Sequence, residues 1–188
     1  APVFAKLDEL GLTGRTLVIV TADHGEVMNP AHDCSSALVQ LNCGFNHSVT
    51  VYDDELNVPL GIALPGRVVA GRTIDTPVSH ADLPPTILDL LGLPPAPGQL
   101  GASLAGALAG GPVDERPIYA DGRYASAVRW GDWKLIVHAP QDDIEPRARM
   151  IDGEAPRHEL FDLRLDPLES RNLARARKDV VDTLLGEL

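Results

Sequence analysis

Aromatic residues are scarce, at 4% of the 188 positions. A core built from this chain is therefore filled by Leu, Val, Ile and Ala. Cysteine is nearly absent: Cys34 and Cys43 are the two in the sequence, too few for a disulfide framework. Both fall in one polar stretch, so a local bridge in an oxidising compartment and a pair of free thiols both stay open. Basic residues are outnumbered, 16 Lys and Arg against 27 Asp and Glu, for a net charge of -11. That excludes a general nucleic-acid binder, which needs a basic face to displace counterions. It leaves room for a local positive site on an acidic protein. No apolar run is long enough to span a membrane. The opening APVFAKLDELGL lacks the charged and then apolar regions of a signal peptide. It reads as the middle of a helix, and the expectation is that the natural chain begins upstream.

What is present is the composition of a folded protein, 44% hydrophobic and 23% charged, which is ordinary for a globular chain. Val3, Phe4, Leu7 and Leu10 recur at helical spacing, and Gly11 stops the run. TLVIVT, residues 16 to 21, is a continuous aliphatic and β-branched run, the pattern of a strand buried on both faces. It ends in Ala22-Asp23-His24-Gly25-Glu26. In open α/β sheets ligands gather at the carboxyl ends of strands, so this turn is the first candidate site. Residues 27 to 50 form a long polar stretch, of the kind that is more often functional than idle. Residues 56 to 64 return to a buried strand, closed by Pro65-Gly66. Asp82 is expected to cap a helix that carries Pro84 and Pro85 in its first turn and ends at Gly92. A Pro/Gly/Ala-rich connection with one short helical piece, SLAGALAG, follows.

Beyond residue 112 the character changes. Pro117–Ala120, Ala125–Trp130, Trp133–His138 and Glu159–Leu163 are short strand-like runs, and Trp130-Gly-Asp-Trp133 signals a tight hairpin. The tail from Leu173 to Leu188 is helical. The division expected is residues 1–112 as part of an α/β domain and residues 113–188 as a small α+β subdomain with an antiparallel sheet.

Several segments, in order, resemble one family. They are TLVIVTADHGE, HSVTVYDDELNVPLGIALPG, VSHADLPPTILDLLGLP, AVRWGDWKLI and HELFDLRLDPLESRNLA. Each is weak alone, but together they span nearly the whole chain and are similar to the C-terminal portion of sulfatases of the alkaline-phosphatase superfamily. The fold this implies is the C-terminal part of an alkaline-phosphatase-like α/β sandwich followed by the small α+β subdomain. The activity it implies is metal-dependent hydrolysis of sulfuric esters, with a small-molecule or carbohydrate sulfate ester as substrate.

On this resemblance Asp23 and His24 are metal ligands, and a carboxylate beside an imidazole is suited to holding a cation against an anionic ester. The alternative is that Asp23 caps a turn and His24 packs on the sheet. The family implies Ca²⁺, whereas an imidazole ligand suits Mn²⁺ or Zn²⁺ better. His47 matches the basic residue that binds the sulfate ester or assists the leaving group. Glu26 is a candidate partner for His24, with a solvated acid as the simpler reading. His32, His80, His138 and His158 are weaker candidates, and Trp130 and Trp133 are expected to pack the small sheet.

The resemblance also implies a formylglycine nucleophile in a Cys/Ser-x-Pro-x-Arg motif, and two further acidic ligands, in an N-terminal part outside these residues. Cys34 in CSSAL and Cys43 in CGFNH lack that context. Residues 1–188 alone are accordingly expected to be inactive. Asn57, Asn46 and Ser48 stand where the family tends to have Arg and Gly, which bears on specificity. Two other readings stay open: a phosphodiesterase or phosphonate monoester hydrolase on the same scaffold, and a non-catalytic truncated homologue.

Overall fold

The structure, a computed structural model, describes residues 2–27, 29, 32, 50–122, 125–139 and 157–188. By contact the chain forms two units, Ala1–Thr21 with Pro59–Glu115, and Ala22–Val58 with Arg116–Leu188.

In the first unit, helix α1 spans Pro2–Glu9. The chain leaves it at Gly11, whose φ of 64° is open to glycine at little cost. Strand β1, Val18–Thr21, pairs antiparallel with β2, Leu60–Ala63, in a two-stranded sheet. The expectation of a strand buried on both faces is not met within this chain, since Val20 is 58% exposed. A strand loses both faces to a core only when layers cover them. Here β2 is its one hydrogen-bonded neighbour among the described residues.

Helix α3, Leu83–Leu91, has its prolines in the first turn and Gly92 at its left-handed end, as the spacing predicts. Asp82 differs from expectation, because its side chain makes no cap bond to α3. It instead completes a capping box one turn earlier, accepting from Ser79 N–H at 2.8 Å, and it also accepts from Ala102 N–H at 2.8 Å. Thr86 Oγ1 donates to Asp82 O at 2.6 Å and accepts from Leu104 N–H at 2.8 Å. These two fully buried residues fasten α3 to the segment leading into the short helix α4, Ala105–Leu108. Gly101 is obligatory there, since a Cβ would lie 1.9 Å from Ala81 O.

The second unit is built on a four-stranded antiparallel sheet in the order β3-β4-β5-β6: Ile118–Asp121, Ala125–Trp130, Trp133–His138 and His158–Asp162. Trp130 pairs with Trp133 across a Gly131-Asp132 loop, and Gly131 supplies a positive φ of 59°, as such a loop needs. One sheet face packs Val128, Leu135 and Leu160 against Val181 and Leu184 of α5, Lys178–Leu185. Trp133 joins that face beneath the Arg177 guanidinium, while Trp130 is exposed. The other face packs Ala125, Ala127, Ile136 and Phe161 against Val51 and Tyr52. Tyr52 leads into α2, Asp53–Leu56, so Leu56 ends a helix rather than opening a strand. Three consecutive acids at the positive end of this helix favour that outcome.

Replacing Asp82 by alanine strands two backbone donors, and is expected to destabilise the first unit by about 3 kcal/mol, with Asp82→Asn costing less. Chemical denaturation followed by amide exchange on α3 measures both.

Candidate functional site

Asp23 and His24 follow β1 directly in the chain, and both are at least partly open to solvent. Asp23 Oδ1 accepts from the His24 N–H at 3.1 Å, which folds the two side chains toward one another. His24 Nδ1 lies 2.7 Å from Gly25 O. A carbonyl only accepts, so Nδ1 carries the proton. The ring lone pair then sits on Nε2, which is 3.8 Å from Asp23 Oδ2. Two ligands of one cation, each with a bond of about 2.0–2.5 Å, stand about that far apart. The donor set, one carboxylate oxygen and one imidazole nitrogen with its tautomer fixed by a carbonyl, therefore fits a divalent metal. The same carbonyl is the main cause of the raised His24 pKa, with Asp23, Glu26 and Glu55 adding to it against the effect of burial. The acceptor that orients His24 is thus Gly25 O, not the Glu26 carboxylate considered from sequence. Among the described residues no group of three or more His, Cys, Asp and Glu side chains could hold a metal ion.

The turn is clamped from behind. Gly25 N–H donates to Glu55 O at 2.7 Å and Glu26 N–H to Asp54 O at 3.0 Å. Carbonyls of the short helix α2 thus receive the turn's donors. The approach leaves no space for a side chain, since a Cβ on Gly25 would meet Asp54 O at 2.1 Å.

Helix α2 is held in its turn by a buried ionic cluster. Lys134, 1% exposed on β5, places Nζ 2.6 Å from Asp53 Oδ1 and 2.7 Å from Glu169 Oε1. Arg129, its cross-strand neighbour, reaches Asp53 Oδ2 at 3.3 Å. Glu169 Oε2 accepts from Asp53 N–H at 2.5 Å. It so caps α2 from a distant segment, since Tyr52 offers no side-chain cap. Glu169 sits at a φ of 50°, a conformation rare for a residue with a side chain. Burial raises its carboxyl pKa, against the pull of Lys134. Glu55 closes the other side by accepting from Thr50 N–H at 3.0 Å and from the Thr50 hydroxyl.

His32, buried, stacks on Tyr52 with ring centroids 3.9 Å apart. Its Nδ1 lies 3.2 Å from Asp54 Oδ2 and its Nε2 3.2 Å from Glu169 O. Acceptors at both ring nitrogens favour the doubly protonated ring. Burial works to lower its pKa, but Asp54 and Glu169 outweigh that and raise it. His138 is buried near Glu159, and the Tyr52 hydroxyl donates to Glu159 at 2.6 Å. His80 Nε2 lies 3.1 Å from Thr21 Oγ1 in the first unit. His47, Cys34, Cys43 and most of the polar stretch from 27 to 50 lie outside the described residues.

The sequence reading missed Lys134, Glu169 and Asp53 as a set. One signal was there: a lysine inside the apolar run WKLIV shares a strand face with Ile136, and a buried lysine demands an acid.

The family model described as Sulfatase matches residues 1–93. Arylsulfatase K of Mus musculus is 29% identical over 97% of this chain and 31% of its own length. Choline-sulfatase of Rhizobium meliloti is 30% identical over 89% of this chain and 28% of its own. Among solved structures, BT4656 in complex with its substrate D-glucosamine-2-N,6-O-disulfate superposes with a TM-score of 0.74 at 24% identity, covering 99% of this chain and 36% of that one. The phosphonate monoester hydrolase SpPMH from Silicibacter pomeroyi gives 0.72 at 26%, covering 99% and 36%. This chain belongs to the sulfatase family. Its fold is the α/β fold of those alkaline-phosphatase-like neighbours. It spans about a third of the length of the curated sulfatases it matches.

A histidine whose folded pKa is raised contributes stability that is lost as pH climbs through the folded value. For His32 that contribution is fully present below the unfolded value of 6.5. His32→Asn is therefore expected to lower the melting temperature most at pH 6, with the gap to the parent narrowing toward pH 8.5. Melting curves of both proteins across that range test it.

Proposed function

We propose that this chain is part of a metal-dependent sulfuric ester hydrolase whose remaining metal ligands and formylglycine nucleophile lie in a portion N-terminal to these residues. The observation that carries the reading is the facing pair of Asp23 Oδ2 and His24 Nε2, with the histidine tautomer set by Gly25 O, in a sulfatase-family chain. Asp23 and His24 hold a divalent cation, Ca²⁺ in first place, with Mn²⁺ or Zn²⁺ as the alternatives an imidazole favours. When bound, such a cation supplies charge neutralisation at an ester oxygen. Gly25 O keeps the His24 proton on Nδ1, so Nε2 stays a ligand rather than a donor. His47 contacts the sulfate group and passes a proton to the departing alcohol oxygen. The substrate is a small-molecule or carbohydrate sulfate ester. A relative acting on a glucosamine disulfate supports the carbohydrate class.

A second reading, hydrolysis of phosphonate or phosphate esters on the same scaffold, draws support from the likeness to SpPMH. In the full-length protein, turnover of 4-nitrophenyl sulfate should exceed that of a phenylphosphonate ester, and the reverse order selects the second reading. Asp23→Ala and His24→Ala should each reduce bound metal and lower kcat/KM for the sulfate by at least about 10²-fold. His47→Ala should lower kcat by about 10²–10⁴-fold with metal content unchanged. Normal turnover by either ligand variant, in a full-length protein that is otherwise active, would sink the metal assignment.

A further inference from the structure

The ionic cluster around Lys134 has no part in the chemistry just described. Its geometry ties it to the site nonetheless. Lys134 and Arg129 are like charges placed directly across two paired strands, an arrangement that costs free energy unless an anion bridges them. Asp53 is that anion, and it opens α2. Glu169 holds the same lysine through one oxygen and the helix's first N–H through the other. Two carbonyls of that helix then accept the N–H groups of Gly25 and Glu26, the residues that follow Asp23 and His24. The chain of contacts is short, buried at its origin, and made of fixed donors and acceptors.

We propose that Lys134, Asp53 and Glu169 are positioning residues for the Asp23–His24 pair, acting through helix α2 and its backbone bonds to Gly25 and Glu26. The inference rests on the metal reading of that pair for its functional consequence, but the mechanical coupling stands apart from it. With Lys134 removed, Glu169 becomes a buried acid without its cation and Asp53 keeps only Arg129, so repulsion between the two acids pushes the helix end away from the sheet. Gly25 and Glu26 lose their acceptors in consequence, and the His24 ring loses the carbonyl position that sets its tautomer. A role confined to stability would instead loosen the whole sheet evenly.

The test uses the full-length protein with Lys134→Met, which keeps the chain length and removes the charge, and with Lys134→Arg as the conservative variant. Amide hydrogen exchange is read at Gly25 and Glu26 and, as internal reference, at Leu135 and Leu160 of the sheet. Mn²⁺ affinity is read in parallel by titration. Exchange at Gly25 and Glu26 is expected to rise at least about tenfold in Lys134→Met while the reference amides change by less than about threefold. Mn²⁺ is expected to bind about 10–100-fold more weakly, with partial recovery in Lys134→Arg. Unchanged protection of Gly25 and Glu26, or a rise no larger than that of the reference amides, overturns the proposal. If protection at the turn falls selectively while neither parent nor variant binds Mn²⁺, the coupling holds and the metal reading is what fails. If Lys134→Met does not fold, Glu169→Gln, which keeps an oxygen for the Asp53 N–H but removes the charge, decides by the same comparison.

Discussion

An ammonium group taken out of water into a sheet costs several kcal/mol unless acids meet it there. Lys134 is met by two, one from the loop after β6 and one from the start of α2. Much of the second unit is arranged around that requirement. Arg129 shares Asp53, Tyr52 packs on Phe161 beside them, and the Tyr52 hydroxyl continues the polar line to Glu159. The sheet face is apolar along Ala125, Ala127 and Ile136 and charged at Arg129 and Lys134, and the 51–55 segment meets both, with Val51 and Tyr52 on the apolar part and Asp53 on the charged part. Apolar packing alone would leave that segment freer to slide.

The candidate site inherits its order from this arrangement. Asp23 and His24 are at least partly exposed and bring little packing energy of their own. What fixes them is backbone: an N–H that bonds the neighbouring carboxylate, a carbonyl that takes the imidazole proton, and two amides docked on helix carbonyls. The metal role proposed for the pair would benefit from such support, since side chains held in place before binding lose less entropy on binding.

Strand and helix positions were largely legible. β4 and β5 begin and end where alternation and the Trp130–Trp133 turn place them, and α3 is framed by its prolines and Gly92. The exposure of β1 was not legible, because periodicity reports what a strand is suited to pack against and not which layers stand beside it in this chain. Asp82, expected to cap α3, bridges Ser79 and Ala102 instead. The bond from Ser79 N–H is local and is carried by the Ser-x-x-Asp spacing of a capping box, whereas the one from Ala102 depends on tertiary return. The same limit hid the lysine cluster, although each of its members sits inside a segment recognisable on its own. Asp23 and His24 were visible because strand ends collect ligands. The demand for glycine at position 25 comes from Asp54 O, which a Cβ would meet at 2.1 Å, a close approach with no local sequence signal.

The bond from Asp53 N–H to Glu169 joins residues 116 positions apart, and the one from Lys134 to Asp53 joins residues 81 apart. Contacts of such long sequence separation carry more loop-closure entropy than local ones and cannot form until both segments are present. During synthesis, the Asp23–His24 turn emerges ahead of its support, which is completed only when the chain near residue 169 has left the ribosome. A nascent chain halted before that point carries the Asp23 and His24 side chains without the scaffold that aligns them, so truncation before residue 169 reaches back to a turn made well ahead of it.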